Sequence, residues 1–163
     1  MTDGTAPTYW IIVGSPDNFV RTAEHGFTVQ GFKSRHRKKA ERMKPGDKIA
    51  YYLTGRKAFG GIATIESQYF ESHERIWESG DPKKAGEDYP FRVNIAPDIV
   101  LPVVDAIPAE PIARQMAYVA KWPEANWTLA FQGNVHEVSE SDFRLIRDAV
   151  ASAVPAGAGV AGG

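Results

Sequence analysis

Hydrophobic and polar residues follow one another in short stretches that predict strands and helices in mixed order. The apolar run at residues 9–13 is rich in β-branched and aromatic side chains and predicts a strand buried on both faces, ending at Gly14. Ser15 followed by Pro16 is typical of a helix start, and this helix is predicted to continue to Glu24. A second helix is predicted over residues 35–43, where basic residues leave only a narrow apolar stripe.

The middle of the chain predicts strands and one long surface excursion. Residues 48–54 and 61–65 have strand composition and are joined by a connection that contains glycine. Residues 71–87 are polar and predict a mobile excursion over the surface, with Trp77 as its one large anchor. Further strands are predicted at two places. They are residues 91–95, which alternate with period two, and residues 99–104.

The C-terminal part predicts a strand and a helix. Residues 135–138 predict the last strand, and Ser139 with Asp142 three residues later is typical of a capped helix start. We expect a single domain over residues 9–153, with a flexible N-terminus (1–8) and a disordered tail (154–163) that has nothing large to bury. The order of elements predicts an α+β domain around a curved or barrel-like sheet.

Composition excludes several classes of protein and site. The 163 residues contain no cysteine, which excludes disulfides, thiolate metal sites and a cysteine nucleophile. The four histidines share no metal-ligand spacing, so we predict neither a metal nor another cofactor. No apolar run approaches the roughly 20 residues of a membrane span, and the N-terminus is polar, so we expect a cytoplasmic protein without a membrane partner.

Charge is distributed very unevenly for a chain whose net charge is −1. Residues 33–57 hold ten Lys or Arg against two acids, a local balance of +8. Residues 66–88 hold seven acids against three bases. The basic segment lies beside aromatic residues, and this combination predicts a polyanionic partner.

Five segments in order give the chain a resemblance to a known family. They are residues 9–13, residues 45–47 leading into Tyr51 and Tyr52, residues 59–63, residues 90–93 and residues 139–146. Together they resemble the EVE domain, a member of the PUA-like superfamily alongside the YTH and ASCH domains. The resemblance spans residues 9–150 and implies a PUA-like, curved and partly closed β-barrel flanked by short helices.

The resemblance also implies a reader of DNA or RNA that holds a flipped, modified base in an aromatic-walled pocket. Stacking on an aromatic ring replaces the stacking that a flipped base loses, polar groups contact its edge, and cations contact the flanking phosphates. The candidates for the pocket are Trp10, Ser15, Asn18, Gln30, Gly31, Phe32, Lys33, Tyr52, Leu53, Thr54, Trp77 and Gln132. The candidates for phosphate contacts are Arg35, Arg37, Lys38, Lys39, Arg56 and Arg92.

Several candidates have an equally simple structural interpretation. Trp10 lies in an apolar strand and suits a core, and Ser15 suits an N-cap. Trp77 suits either a lid over the pocket or an anchor for its loop, and Arg92 suits an ion pair with the acidic segment before it. Because neighbouring residues of a strand point oppositely, Tyr51 and Tyr52 cannot both face the ligand.

Two other classes of function remain open at this point. The first is an amidohydrolase acting on a modified nucleoside, as in some ASCH relatives, for which Lys33, Thr54 and Glu66 supply the residue types. The second is a protein-interaction module with a vestigial pocket, which requires an exposed apolar patch. The chain has no nucleophile elbow, phosphate-cradling loop or dinucleotide fingerprint, so binding without chemistry is the predicted function.

Overall fold

In the computed structural model, residues 6–79, 81–84 and 86–154 are described. The strands are β1 (Tyr9–Gly14), β2 (Val29–Phe32), β3 (Lys48–Leu53), β4 (Ala58–Ile65), β5 (Phe70–Glu71), β6 (Phe91–Val100), β7 (Ile107–Pro108) and β8 (Val135–Val138). The α-helices are α1 (Pro16–Glu24), α2 (Arg37–Arg42), α3 (Glu110–Ala113) and α4 (Glu140–Ser152). Short 3₁₀ helices span Ser34–His36, Pro82–Lys84, Val103–Asp105, Val119–Lys121 and Glu124–Phe131.

One mixed sheet organises the described chain. Its order is β2-β6-β4-β3-β1-β8, while β5 pairs with β6 and β7 pairs with β4. β1 runs parallel to β3, and the other strand pairs are antiparallel. The register shifts between Tyr51 and Tyr52 and between Ile62 and Ala63, and such bulges bend and twist a sheet. The sheet curls into a half-barrel flanked by short helices, which confirms the predicted α+β class.

Side chains of the central strands alternate between two apolar layers, because successive residues of a strand point to opposite faces. Ile11, Val13, Ala50 and Tyr52 lie in one layer, which is filled by α4 and the 3₁₀ helix Glu124–Phe131. The other layer contains Trp10, Ile12, Ile49, Tyr51 and Leu53 together with apolar residues of α1 and α2. We call this second layer the α1 layer.

Most predicted elements are present, with differences in their bounds. The helix that begins after Ser15 ends at Glu24 as predicted, and Ser139 caps α4 by accepting a hydrogen bond from the Asp142 amide. The strands predicted at 91–95 and 99–104 form the single strand β6, and residues 103–105 are a 3₁₀ helix instead. The helix predicted at 35–43 is shorter, because a 3₁₀ turn precedes it and Met43 already has extended backbone.

The turn at residues 45–47 has a structural purpose. The Asp47 side chain is fully buried and accepts hydrogen bonds from the Thr8 amide, the Trp10 indole, and the amide and ammonium of Lys44. This carboxylate therefore fixes the start of β1 beside the start of β3. Of the predicted flexible N-terminus, residues 1–5 lie outside the described residues, as does the predicted disordered tail beyond Val154.

Candidate functional site

A cavity of about 420 Å³ lies where the ends of β1 and β3 meet α1 and β2. Its volume is within the roughly 300–1,000 Å³ of small-ligand sites. One wall comes from residues 77–79 and from Tyr89, which lie in the first and last parts of the excursion, taken from here on as residues 72–90 between β5 and β6. Ten of the twelve predicted pocket residues line it: Ser15, Asn18, Gln30, Gly31, Phe32, Lys33, Tyr52, Leu53, Thr54 and Trp77.

Trp10 and Gln132, the other two candidates, do not line the cavity. Trp10 is fully buried, and its indole N–H donates to Asp47 Oδ2 at 3.1 Å. Its ring therefore belongs to the core, which corrects the prediction that it walls the pocket. Gln132 is exposed at the end of the 3₁₀ helix Glu124–Phe131.

Aromatic rings form much of the cavity lining. Phe19 and Tyr51 meet edge to face, with ring centroids 5.4 Å apart, and the Trp77 and Tyr89 rings are 6.0 Å apart with a 56° tilt. The Tyr52 ring stacks on Phe131 in the opposite layer, so Tyr51 supplies the ring in the α1 layer. The sequence analysis named Tyr52, which also lines the cavity, and left out Tyr51, the neighbour that the alternation of the strand places on the opposite face.

The Tyr51 hydroxyl is the one tyrosine oxygen of the described residues that is buried without a hydrogen-bond partner. Burial raises the pKa of Tyr51 well above its usual value, so the hydroxyl remains protonated at neutral pH. A buried O–H without an acceptor is uncommon in native proteins. At the side of the cavity, the Tyr51 hydroxyl is therefore a hydrogen-bond donor that no described residue accepts from.

Gly31, a predicted pocket residue that lines the cavity, also makes room for Trp77. A Cβ atom at Gly31 would lie 2.4 Å from Trp77 Cζ3 and 2.9 Å from the Tyr89 carbonyl oxygen. Trp77 is buried, and its indole N–H donates to Thr22 Oγ1 at 2.8 Å. Trp77 is thus the anchor of its loop and a cavity wall at once, and only glycine allows its ring to lie so close to β2.

Arg92 is internal, and the prediction that it binds phosphate is wrong. Its side chain is buried, and its guanidinium lies 5.1 Å from the centre of the Trp77 ring. It donates hydrogen bonds to the carbonyl oxygens of Glu74, Asp88 and Tyr89 and to the Ser72 hydroxyl. Burial lowers the pKa of Arg92, but a guanidinium remains charged at neutral pH. Arg92 therefore joins the two ends of the excursion behind Trp77.

The polar candidates at the cavity already have partners within the protein. Ser15 Oγ accepts from the Asn18 amide at 3.1 Å, as an N-cap does, and the Thr54 hydroxyl donates to the Gly14 carbonyl at 3.3 Å. The Gln30 amide donates to the Gly31 carbonyl at 2.9 Å. Hydroxyl and amide oxygens each have two lone pairs, so these groups keep acceptor capacity for a ligand.

Asn134 is a cavity residue that the sequence analysis missed. Its Nδ2 donates to the Val13 carbonyl at 3.2 Å, which places it at the end of β1. Its Oδ1 accepts from Arg35 at 3.1 Å and lies 3.3 Å from His36 Nε2. Asn134 therefore connects the cavity directly to the basic segment. No local pattern indicates this contact, because Asn134 and Arg35 are 99 residues apart in sequence.

The basic surface consists of the predicted phosphate-binding residues other than Arg92. Lys38 and Arg56 are exposed, Arg37 pairs with Glu41 at 3.2 Å, and Lys39 donates to the Val135 carbonyl at 2.7 Å. The pKa of His36 is lowered, first by burial and then by the charges of Arg35, Lys39 and Lys33, although its Asn134 contact opposes this. His36 is therefore neutral at pH 7 amid cations.

Neither a metal-ligand cluster nor a membrane-spanning helix occurs in the described part of the chain. No group of three or more His, Asp or Glu side chains there is arranged to hold a metal ion. No helix among these residues is both long and apolar enough to cross a membrane.

Comparison with solved structures shows the fold. The YTH domain-containing protein Mmi1, in a complex with RNA, superposes with a TM-score of 0.64 at 10% identity, covering 91% of this chain and 83% of that one. The Pho92 YTH domain, in complex with m6A, gives a TM-score of 0.63 at 13% identity, covering 92% and 87%. These neighbours confirm the predicted PUA-like fold.

Comparison of sequences shows the family. A UPF0310 protein of Pyrococcus abyssi is 26% identical over 148 residues, which cover 85% of this chain and 96% of the relative. A UPF0310 protein of Mesorhizobium japonicum is 30% identical over 152 residues, covering 87% and 91%. The model of the EVE domain matches residues 8–149. The chain belongs to the EVE domain family.

Proposed function

We propose that this protein binds DNA or RNA and holds one modified base in the cavity without changing the base chemically. The observation that carries the proposal is a cavity of about 420 Å³, lined by aromatic rings, that adjoins a basic surface through Asn134. A flipped base needs these two features together, since rings stack on the base while cations neutralise the phosphates beside it.

The structural neighbours support the same proposal. Mmi1 is in a complex with RNA, and the YTH domains of Pho92 and of the Zygosaccharomyces rouxii MRB1 protein are in complexes with m6A and with N6-methyladenosine RNA. The present chain has their fold, and its cavity lining combines aromatic rings with polar groups. The likeness in fold and this lining together support a base as the ligand.

The amidohydrolase alternative lacks one of its three residues at the site. Lys33 and Thr54 line the cavity, but Glu66 is exposed just beyond the far end of β4 and does not line it. A general acid or base must lie within hydrogen-bond reach of the reacting group. We therefore propose binding without catalysis.

The protein-interaction alternative lacks its apolar patch in the described part of the chain. The large exposed hydrophobic residues there are Val20, Phe70 and Val104, which lie on three different elements. Single exposed apolar residues are ordinary on protein surfaces.

Matched oligonucleotides test the proposal. Fluorescence anisotropy would measure the affinity for single-stranded DNA and RNA 12-mers, each with a central unmodified base, N6-methyladenine or 5-methylcytosine. We expect one modified 12-mer to bind at least about tenfold more tightly than its unmodified partner, a difference of about 1.4 kcal/mol. Mass spectrometry should show the bound oligonucleotide unchanged. Equal affinities in every matched pair would refute the reader function, and a mass change at turnover would favour the enzyme.

A further inference from the structure

Helix α1 holds the covering segment, residues 72–79, against the cavity through side chains on one face. Asn18, Arg21 and Thr22 are three and four residues apart, so they project from the same side of the helix. Thr22 Oγ1 accepts from the Trp77 indole at 2.8 Å. Arg21 pairs with Glu78 at 3.5 Å, but both side chains are well exposed, and such pairs contribute little to stability. The other two side chains therefore carry the attachment.

Asn18 binds the covering segment as a neighbouring strand would. Its Nδ2 donates to the Glu78 carbonyl at 2.9 Å, and its Oδ1 accepts from the Glu78 amide at 3.1 Å. Both backbone groups of one residue are thus satisfied by a single carboxamide. The same Nδ2 lies 3.4 Å from the Tyr89 hydroxyl, which belongs to the other end of the excursion. Asn18 therefore contacts Tyr89 itself and Glu78, the neighbour of Trp77.

The position of the two rings depends on these contacts. Glu74, Arg75 and Glu78 are exposed, and exposed segments with few buried contacts open locally at low free energy. Arg92 holds the segment from behind at Glu74, whereas Asn18 holds it at Glu78, on the side of Trp77 nearer the tip of the excursion. Thr22 and Arg92 still contact the Trp77 ring when Glu78 is released, but the chain beside Trp77 and the Tyr89 hydroxyl lose their contact with Asn18. Both rings are then held less firmly for stacking on a base.

We propose that Asn18 is a positioning residue that fixes Trp77 and Tyr89 as walls of the cavity and thereby sets the preference for a modified over an unmodified base. This inference rests on the proposed function. It gives the Asn18 amide a structural role in addition to the expected contact with a base edge, because both ends of that amide bind Glu78.

Amide hydrogen exchange, measured by NMR without nucleic acid, tests the attachment directly. In Asn18→Ala the Glu78 amide loses its acceptor, so it should exchange at least about fivefold faster, while the Ala50 amide in β3 keeps its rate. Val20→Ala is the matched control, since Val20 is exposed on the same helix. An unchanged Glu78 rate in Asn18→Ala would overturn the inference whether or not the protein binds nucleic acid.

Affinity for the single-stranded 12-mers with and without N6-methyladenine or 5-methylcytosine tests the consequence. In Asn18→Ala the ratio of modified to unmodified affinity should fall at least about fivefold, towards a ratio of one, because the loss of one stacking contact costs about 1 kcal/mol or more. Affinity for the unmodified 12-mer should fall less than affinity for the modified one, and its salt dependence should match that of Val20→Ala, because the phosphate contacts are elsewhere.

The two measurements separate the possible failures. Faster Glu78 exchange with an unchanged affinity ratio would overturn the role of Asn18 in base preference. An equal loss of affinity for modified and unmodified 12-mers would also overturn it. Absence of any preference in the wild-type protein would instead refute the proposed function, and the exchange rate alone would then decide whether Asn18 positions the segment.

Discussion

Replacing Gly31 by alanine adds one methyl group at the most crowded point of the cavity wall. The new Cβ would lie 2.4 Å and 2.8 Å from two carbon atoms of the Trp77 ring and 2.9 Å from the Tyr89 carbonyl oxygen. The ring cannot move freely, because Thr22 holds its indole N–H and the Arg92 guanidinium lies 5.1 Å from its centre. Overpacking of this kind costs about 1–3 kcal/mol.

Thermal unfolding measures this cost. For a chain of this length, 1 kcal/mol lowers Tm by about 2–4 °C, so Gly31→Ala should melt about 2–12 °C earlier than the wild-type protein. Gly14→Ala is the matched control, because Gly14 also lies in a strand but has no atom within 4 Å of the position of its Cβ. Its Tm should change little.

A second substitution isolates the clash. Trp77→Phe removes the ring atoms that a Cβ at Gly31 would meet, so the double variant should be more stable than the two single effects predict, by about 0.5–3 kcal/mol. Strict additivity of the two substitutions, or a Gly31→Ala protein that melts with the wild type, would refute the argument that Gly31 makes room for Trp77.

Three further perturbations concern the basic surface and the internal arginine. Lys38→Glu should weaken binding to modified and unmodified 12-mers about equally and flatten the salt dependence, because each lost phosphate contact reduces the slope by about 0.7–0.9; an unchanged slope would place Lys38 outside the interface. In the free protein, burial holds the pKa of His36 below 6.5. A bound phosphate nearby favours the charged form of His36 and raises this pKa, so binding of the 12-mers should tighten as the pH falls below 6.5. His36→Gln should remove this part of the pH dependence. Identical pH profiles of binding for the wild-type protein and His36→Gln would refute the role of His36. Arg92→Leu leaves three carbonyl oxygens without their donor and should cost at least about 1–3 kcal/mol in the free energy of unfolding; chemical denaturation measures this, and a wild-type midpoint would contradict the internal role of Arg92.

The layers of the fold could be predicted from local pattern, because period-two alternation in a strand fixes which residues share a face. Capping residues were equally informative, since Ser15 and Ser139 bond to backbone amides of their own helices. The continuity of β6 as a single strand was harder to predict from the sequence. Pro97 interrupts its alternation, yet β6 pairs with β4 on both sides of a register shift beside this residue.

The errors at the site arise from contacts between distant segments. The alternation correctly placed Trp10 in the same layer as Tyr51. It could not show that the Trp10 indole donates to Asp47, a contact 37 residues away that keeps Trp10 in the core. Arg92 was expected either to contact a phosphate or to form an ion pair with the acidic residues before it, whereas its guanidinium binds mostly backbone carbonyls. Backbone oxygens carry no sequence signal, so composition could not identify these partners.

The walls of the cavity explain why the family resemblance located the site better than any periodic pattern. Trp77 and Tyr89 come from the excursion, a polar and acidic stretch that by composition belongs to the surface. Gly31, Thr22 and Arg92 contact the Trp77 ring from three separate elements, and Asn18 contacts both Glu78 and the Tyr89 hydroxyl. Each of these residues alone is ordinary in its own segment. A cavity formed by contacts between distant segments leaves no local pattern in the sequence. The order of the five segments that resemble the EVE domain was therefore the signal that indicated the cavity residues.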